Sequence, residues 1–182
     1  MAKIILGLAG EIASGKGTVA EYVVEKYGGS AHRFSTMLRD ILDRLYLEHS
    51  RENTSKISTV LRQNFGEDVL AKIMREEVQR DACQVIIVEG IRRVADIEYL
   101  KELPEFKFIY VEADINKRYE RLIQRGENVD DKGKTFEQFE KDHQLETELQ
   151  IKDLKNHADF VIYNGGDIKG LEKQVDKIIN QT

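Results

Sequence analysis

The run Leu8–Val19, Leu-Ala-Gly-Glu-Ile-Ala-Ser-Gly-Lys-Gly-Thr-Val, constrains this chain more than any other stretch. An apolar segment, Ile4-Ile5-Leu6, precedes it, and a helical pattern opens at Val19. Strand, glycine loop and helix form the context in which G-x-x-x-x-G-K binds phosphate, and Gly10, Gly15 and Lys16 supply that spacing. Gly10, Gly15 and Gly17 let the backbone wrap an anion and adopt dihedrals that a side chain resists. The N–H groups of Ala13, Ser14, Gly15, Lys16 and Gly17 then face inward, and the helix aims its positive end at the same charge. Lys16 adds a full charge where β- and γ-phosphates sit. Gly17 follows Lys16, so the first hydroxyl falls at Thr18, the expected contact for Mg²⁺.

A length of 182 residues suits one domain, 1–182, with a real core. The net charge of −5 disfavours a nucleic-acid partner. The single cysteine, Cys83, cannot form an internal disulfide and fits a reducing, cytoplasmic setting. It stands beside the apolar run Val85–Val88 and reads as packing. No secretory pattern follows Met1, and no apolar run reaches membrane-spanning length, so no membrane partner is expected.

Along the chain, Lys3–Ala9 reads as a buried strand and Lys16–Tyr27 as a helix ended by Gly28. Ala31–Phe34 is a short second strand. Ser35 and Thr36 then cap a helix bearing Met37, Leu38, Ile41, Leu42 and Leu45. After a polar loop, Glu48–Asn53, helices follow over Thr54–Phe65 and Glu67–Arg80. So much helix between two strands exceeds a plain crossover and predicts a substrate-binding insertion over 35–80. Val85–Val88, Phe106–Val111 and Phe160–Tyr163 are further strands, and Val94–Leu103 is a helix. Asp114 caps the helix Ile115–Arg125, Gly126–Lys134 is a charged loop, and Thr135 opens a helix with Gln138 completing a capping box. A last amphipathic helix carries Leu171, Val175, Ile178 and Ile179. Such alternation predicts an α/β protein, a parallel sheet with helices on both faces and ligands at its carboxyl edge.

Candidate chemistry gathers at the strand ends. Glu89 closes the third strand and is positioned to hold Mg²⁺. Arg92 and Arg93 follow, and one of them is expected to fork onto an acceptor phosphate. Arg118, Arg121 and Arg125 share one side of a helix, opposite Ile115, Tyr119, Leu122 and Ile123. They suit a closing lid, over 118–142, that neutralises a transferring phosphate. Arg39, Arg51 and Arg62 lie in the insertion, with Arg39 and Arg62 the candidate acceptor contacts. No chemistry is assigned to His32, His49, His143 or His157, and Tyr110 and Tyr163 read as packing.

The stretches Gly10–Thr18, Val88–Arg93 and Arg118–Asp131 together resemble the P-loop nucleoside monophosphate kinase group. Adenylate kinases carry Asp-Gly-Phe-Pro-Arg where this chain has Glu-Gly-Ile-Arg-Arg, which aligns their phosphate-binding arginine with Arg93. Adenylate-kinase-related and deoxynucleotide monophosphate kinase-like proteins carry Asp-Gly-Ile-Arg, which favours Arg92. They share an arginine-rich lid and an ending similar to Ala158–Asn164. The resemblance implies a P-loop NTPase fold, a five-stranded parallel sheet of order 2-3-1-4-5 with a helical insertion and a short lid. It also implies ATP as donor and Mg²⁺ as metal. Gly10, Ala13, Ser14, Gly15, Lys16, Gly17 and Thr18 would bind ATP; Lys16, Arg118, Arg121 and Arg125 would be catalytic. The acceptor would be a small phosphorylated molecule, and a monomer is favoured. Dephospho-coenzyme A kinase is the nearest alternative, since its ending is similar to Ala158–Gly166. A slow nucleotide-hydrolysing switch is a more distant one.

Overall fold

The computed structural model describes residues 3–125, 133–144 and 146–181, with side chains except those of Arg51 and 146–148. Five parallel strands form its sheet: β1 (Ile4–Ala9), β2 (Ser30–Arg33), β3 (Val85–Glu89), β4 (Phe106–Glu112) and β5 (Phe160–Tyr163). Their order is β2-β3-β1-β4-β5. Register places Gly7 opposite Val88 and Arg33 opposite Glu89, so neighbouring strands end together. β1 and β3 are buried throughout, which explains their unbroken apolar sequences.

Alternation along the strands divides the core between two faces. Ile5, Ile86, Val88, Phe108 and Tyr110 pack with Met37, Leu38, Met74 and Leu100 on one side. Leu6, Leu8, Ile87, Ile109 and Val111 pack with Val19, Val23, Leu171 and Val175 on the other. Cys83 is half-buried against the first cluster. Tyr110 is core, as expected, whereas Tyr163 stands on edge strand β5 and is exposed.

The helices are α1 (Lys16–Tyr27), α2 (Phe34–Arg44), α3 (Arg51–Phe65), α4 (Val69–Arg80), α5 (Glu98–Lys101), α6 (Ile115–Arg125), α7 (Phe136–Asp142), α8 (Glu146–Asp153) and α9 (Ile168–Gln181). Three departures from the sequence reading have local causes. Ser35 and Thr36 do not cap α2, because Phe34 is already helical and buried, and Arg33 takes the cap position. Ser50 accepts a hydrogen bond from the Asn53 amide and starts α3 three residues before the expected Thr54. The expected helix Val94–Leu103 is instead a 3₁₀ turn, Val94–Asp96, followed by the short α5. Asp96 turns its carboxylate back onto the amides of Arg92 and Arg93, which tightens that segment. Thr135 and Gln138 do form a capping box, and the Asn116 amide donates to the Asp114 carboxylate at the start of α6. Of the expected loop Gly126–Lys134, residues 126–132 lie outside the described residues. No described helix is long and apolar enough to cross a membrane.

Candidate active site

The chain leaves β1 toward β2 on one side of the sheet, and leaves β3 toward β4 on the other. The carboxyl ends of β1 and β3 therefore flank a topological switch point, where parallel sheets hold ligands. The glycine loop follows β1 there. Gly10 has φ +150° and Gly15 φ +103°, both in the region that favours glycine. A Cβ on Gly10 would stand 2.2 Å from the Val111 carbonyl oxygen, and one on Gly15 2.1 Å from Asn164 Nδ2. Gly17 differs from expectation: no positive φ is found there, and nothing lies within 4 Å of its would-be Cβ.

The loop closes on itself through one amide bond, from Ser14 to the Glu11 carbonyl at 3.2 Å. The amides of Ala13, Gly15, Gly17 and Thr18 donate to no described group. Lys16 Nζ folds back onto the Gly10 and Glu11 carbonyls, at 2.7 and 3.0 Å. Ser14 is fully buried, and its hydroxyl lacks a hydrogen-bond partner among the described residues. Orphaned donors, a buried hydroxyl and an amine resting on carbonyls that it can leave make a cradle for a phosphate chain.

Two braces set the shape of this cradle. Asn164, at the end of β5, donates Nδ2–H to the Ser14 carbonyl at 2.9 Å. Its own carbonyl accepts from Arg121 at 3.0 Å, and its amide donates to the Glu112 carbonyl at 2.7 Å. The second brace is built on Arg118, which is buried rather than on an exposed arginine face: it shares the inner side of α6 with Leu122. Arg118 donates to the Ala113 carbonyl, to Glu11 at 3.1 Å and to His143 Nε2 at 2.5 Å, with a longer bond to the Ile12 carbonyl. His143 Nδ1 lies 2.6 Å from the Phe139 carbonyl, so Nδ1 carries the proton and Nε2 accepts from Arg118. Arg118 thus links the loop to α7. Arg121 is half-buried against Ser14 and Asn164, and Arg125 is exposed at the end of α6. Neither Asn164 nor His143 carries a motif that names its role. The one signal is the resemblance of the ending Ala158–Asn164, which includes Asn164 but not His143 and names no partner for it.

The other half of the crevice surrounds the end of β3. Arg62 is buried and paired with Asp96 at 2.6 Å, and it also donates to the Glu67 carbonyl. Asp96 in turn accepts from the amides of Arg92 and Arg93 at 3.0 and 3.1 Å. Arg62 therefore holds the Arg92–Arg93 turn from beneath, where the sequence reading had it meeting the acceptor. Arg93 is paired with Glu67 at 3.0 Å. Arg92 and Arg39 are exposed, and their side chains make no hydrogen bond or ion pair among the described residues. The side chain of Arg51 lies outside the described residues. Glu89 is buried, and its Oε2 accepts from Arg33 Nε and Nη2, at 2.8 and 2.5 Å. Thr18 lines a groove between α1 and α9 together with Glu21, Tyr22 and Glu25.

A nucleotide phosphate chain fits the loop by its orphan amides. No group of three or more acidic, histidine or cysteine ligands suited to a metal occurs among the described residues. Mg²⁺ retains waters and takes one or two carboxylates beside substrate phosphates, so these residues suit an ion that arrives with the nucleotide.

Comparison with known proteins agrees with this geometry. Two curated relatives are UPF0200 proteins. The one from Thermococcus kodakarensis is 28% identical over 100% of this chain and 97% of its own length. The one from Methanothermobacter thermautotrophicus is 28% identical over 100% of this chain and 92% of its own. Among solved structures, an uncharacterized protein from Eubacterium ventriosum superposes with a TM-score of 0.65 at 15% identity, covering 99% of this chain and 100% of that one. Shikimate kinase from Bacteroides thetaiotaomicron gives 0.58 at 14% identity, covering 98% and 97%. These likenesses concern the fold. The family model described as "AAA domain" matches residues 9–139, from the end of β1 through α7. With a phosphate loop at the switch point of a 2-3-1-4-5 sheet and that match over most of its length, the chain belongs to the AAA domain family and has a P-loop kinase-like fold.

Proposed function

We propose that this chain is an ATP-dependent phosphotransferase that passes the γ-phosphoryl group to a nucleoside or deoxynucleoside monophosphate. The observation that carries this reading is a pairing of charges. A glycine loop with orphan amides and Lys16 ends β1. The adjacent strand end leads into Arg92, an exposed cation without a partner among the described residues. A donor cradle beside unmatched cationic charge suits transfer between two anions, which needs neutralisation and alignment more than covalent chemistry.

The residues then have separate tasks. Gly10, Ala13, Ser14, Gly15, Gly17 and Thr18 surround the donor phosphates. Lys16 exchanges two loop carbonyls for the phosphate oxygens. Thr18 and the Oε1 atom of Glu89 are the groups available to Mg²⁺. ATP supplies the transferable group, and Mg²⁺ spreads its charge. Arg121 and Arg125 serve the transferring phosphate, while Arg118 keeps the loop in shape. Arg39 and Arg92 take the acceptor phosphate, with Arg93 beside them and Arg62 holding their turn through Asp96. A phosphate acceptor is already ionised. A hydroxyl acceptor, as in dephospho-coenzyme A, needs a base, and Glu89 is engaged by Arg33.

The test is ADP formation from Mg-ATP against a panel of nucleoside and deoxynucleoside monophosphates plus dephospho-coenzyme A. Stimulation by a monophosphate is expected. Stimulation by dephospho-coenzyme A alone, or acceptor-independent slow hydrolysis, overturns the reading.

A further inference from the structure

Arg33 belongs to none of the stretches that carry the nucleotide loop, the lid or the arginines after β3, yet its placement is specific. It ends edge strand β2 and stands in register with Glu89, the end of β3. The Glu89 side chain is 9% exposed and that of Arg33 52%. A carboxylate buried to this degree requires a counter-charge, and Arg33 supplies it through two hydrogen bonds to Oε2. A guanidinium has five N–H bonds. Two go to Glu89, and the other three have no acceptor among the described residues. The turn after β3 packs against the same spot: a Cβ on Gly90 would lie 3.5 Å from Phe34 Cβ and 3.9 Å from Arg33 Cγ. That turn runs on to Arg92, whose amide is fixed by Asp96.

We infer that Arg33 is an anion contact on the acceptor side of the crevice, with Glu89 as the residue that positions it. The inference rests on the kinase reading for the nature of the anion, a phosphate monoester. Glu89 grips one edge of the guanidinium and fixes its plane. The remaining N–H bonds present a fork to phosphate oxygens, which a planar guanidinium suits. Arg92 adds a second, ungripped cation at the neighbouring strand end. Glu89 thereby acts on the acceptor through Arg33, whatever its Oε1 atom contributes to Mg²⁺.

Titration calorimetry tests this on the full chain, with orthophosphate as the probe and the glycine loop filled by Mg²⁺ and the non-hydrolysable analogue AMP-PNP. The variants are Arg33→Gln, Arg33→Lys, Glu89→Gln and the Arg33→Gln/Glu89→Gln double variant. Arg33→Gln leaves a buried carboxylate unpaired, so Arg33→Lys, which keeps the counter-charge, guards against a folding defect. Arg33→Gln and Glu89→Gln are each expected to weaken orthophosphate binding by about tenfold or more, the size of a charge-assisted hydrogen bond. The double variant should be no weaker than Arg33→Gln alone, because both changes remove one unit. Arg33→Lys should be intermediate, since an ammonium keeps the charge and loses the fork. Arg33→Gln should bind AMP-PNP as the parent does. Orthophosphate binding within twofold of the parent in Arg33→Gln or in Glu89→Gln overturns the proposal, as does a parent that takes no orthophosphate. Failure of the parent to bind AMP-PNP is a separate result: it sinks the kinase reading, and orthophosphate titration without nucleotide still decides the role of Arg33.

Discussion

Ala13 occupies the left-handed region, with φ +58°, in the middle of the phosphate loop. An L-residue there bears about 1–2 kcal/mol of strain. Ala13→Gly removes the strain and costs about 0.4–1 kcal/mol through a freer unfolded chain. A net gain on the order of 0.5 kcal/mol is expected, read as a higher urea midpoint at unchanged slope. A lower midpoint would mean that the methyl group contributes packing that outweighs the strain. Asp81 makes the opposite kind of contribution. Burial alone would raise its carboxyl pKa, but hydrogen bonds from Ser30, the Cys83 amide and His32 outweigh burial and hold it well below the usual carboxylate range. A folded-state pKa below the unfolded one stabilises the fold above the unfolded value, about 3.9. That stability is lost as pH falls further, through the folded value. Asp81→Asn should therefore flatten the decline of stability below roughly pH 4, measured as urea midpoints in an acid series. An unchanged acid slope would show that other carboxylates dominate.

Among elements, those read best from sequence are the ones whose neighbours make no special demand. β1, β3 and β4 are fully or nearly buried, so apolar runs mark them within a residue or so of their ends. Helix α6 was legible, but not the side of it that carries Arg118. A buried arginine at an apolar-facing position appears only once Glu11, His143 and the Ala113 carbonyl converge on it. The segment after β3 misled for the same reason: Asp96 answers to Arg62, thirty-four positions away, and not to helical periodicity. Glycine spacing marked the loop itself, while its brace from β5 depends on tertiary pairing. That brace yields an element-scale prediction. Asn164→Ala removes the donor to the Ser14 carbonyl, and Asn164→Asp also sets a negative charge beside the loop proposed to hold the donor phosphates. Both should raise the KM for ATP by on the order of tenfold, Asp more than Ala, with the KM for acceptor far less affected. Equal losses for both substrates, with a lowered melting temperature, would reduce Asn164 to a stability residue.

At the scale of the whole molecule, two layers of helix clamp a sheet whose carboxyl edge carries the loop, both braces, Arg33 and Arg92. A ligand bound at that edge as proposed would touch residues following β1, β3 and β4 at once, so it should stabilise the domain as a unit. A nucleotide at one hundred times its dissociation constant adds about 2.7 kcal/mol to the folded state. For a chain of this size each kcal/mol shifts the melting temperature by about 2–4 °C. Mg-AMP-PNP at that concentration is thus expected to raise the midpoint by about 5–11 °C in the parent. Lys16→Ala should abolish most of the shift while leaving the unliganded midpoint close to that of the parent. Lys16 Nζ donates to two loop carbonyls, which solvent can satisfy in its place, and Lys16 lies outside both core clusters. The same variant should lose phosphoryl transfer. A full shift in Lys16→Ala would place the nucleotide elsewhere, and the glycine loop would then be a turn that shapes the sheet edge without holding phosphate.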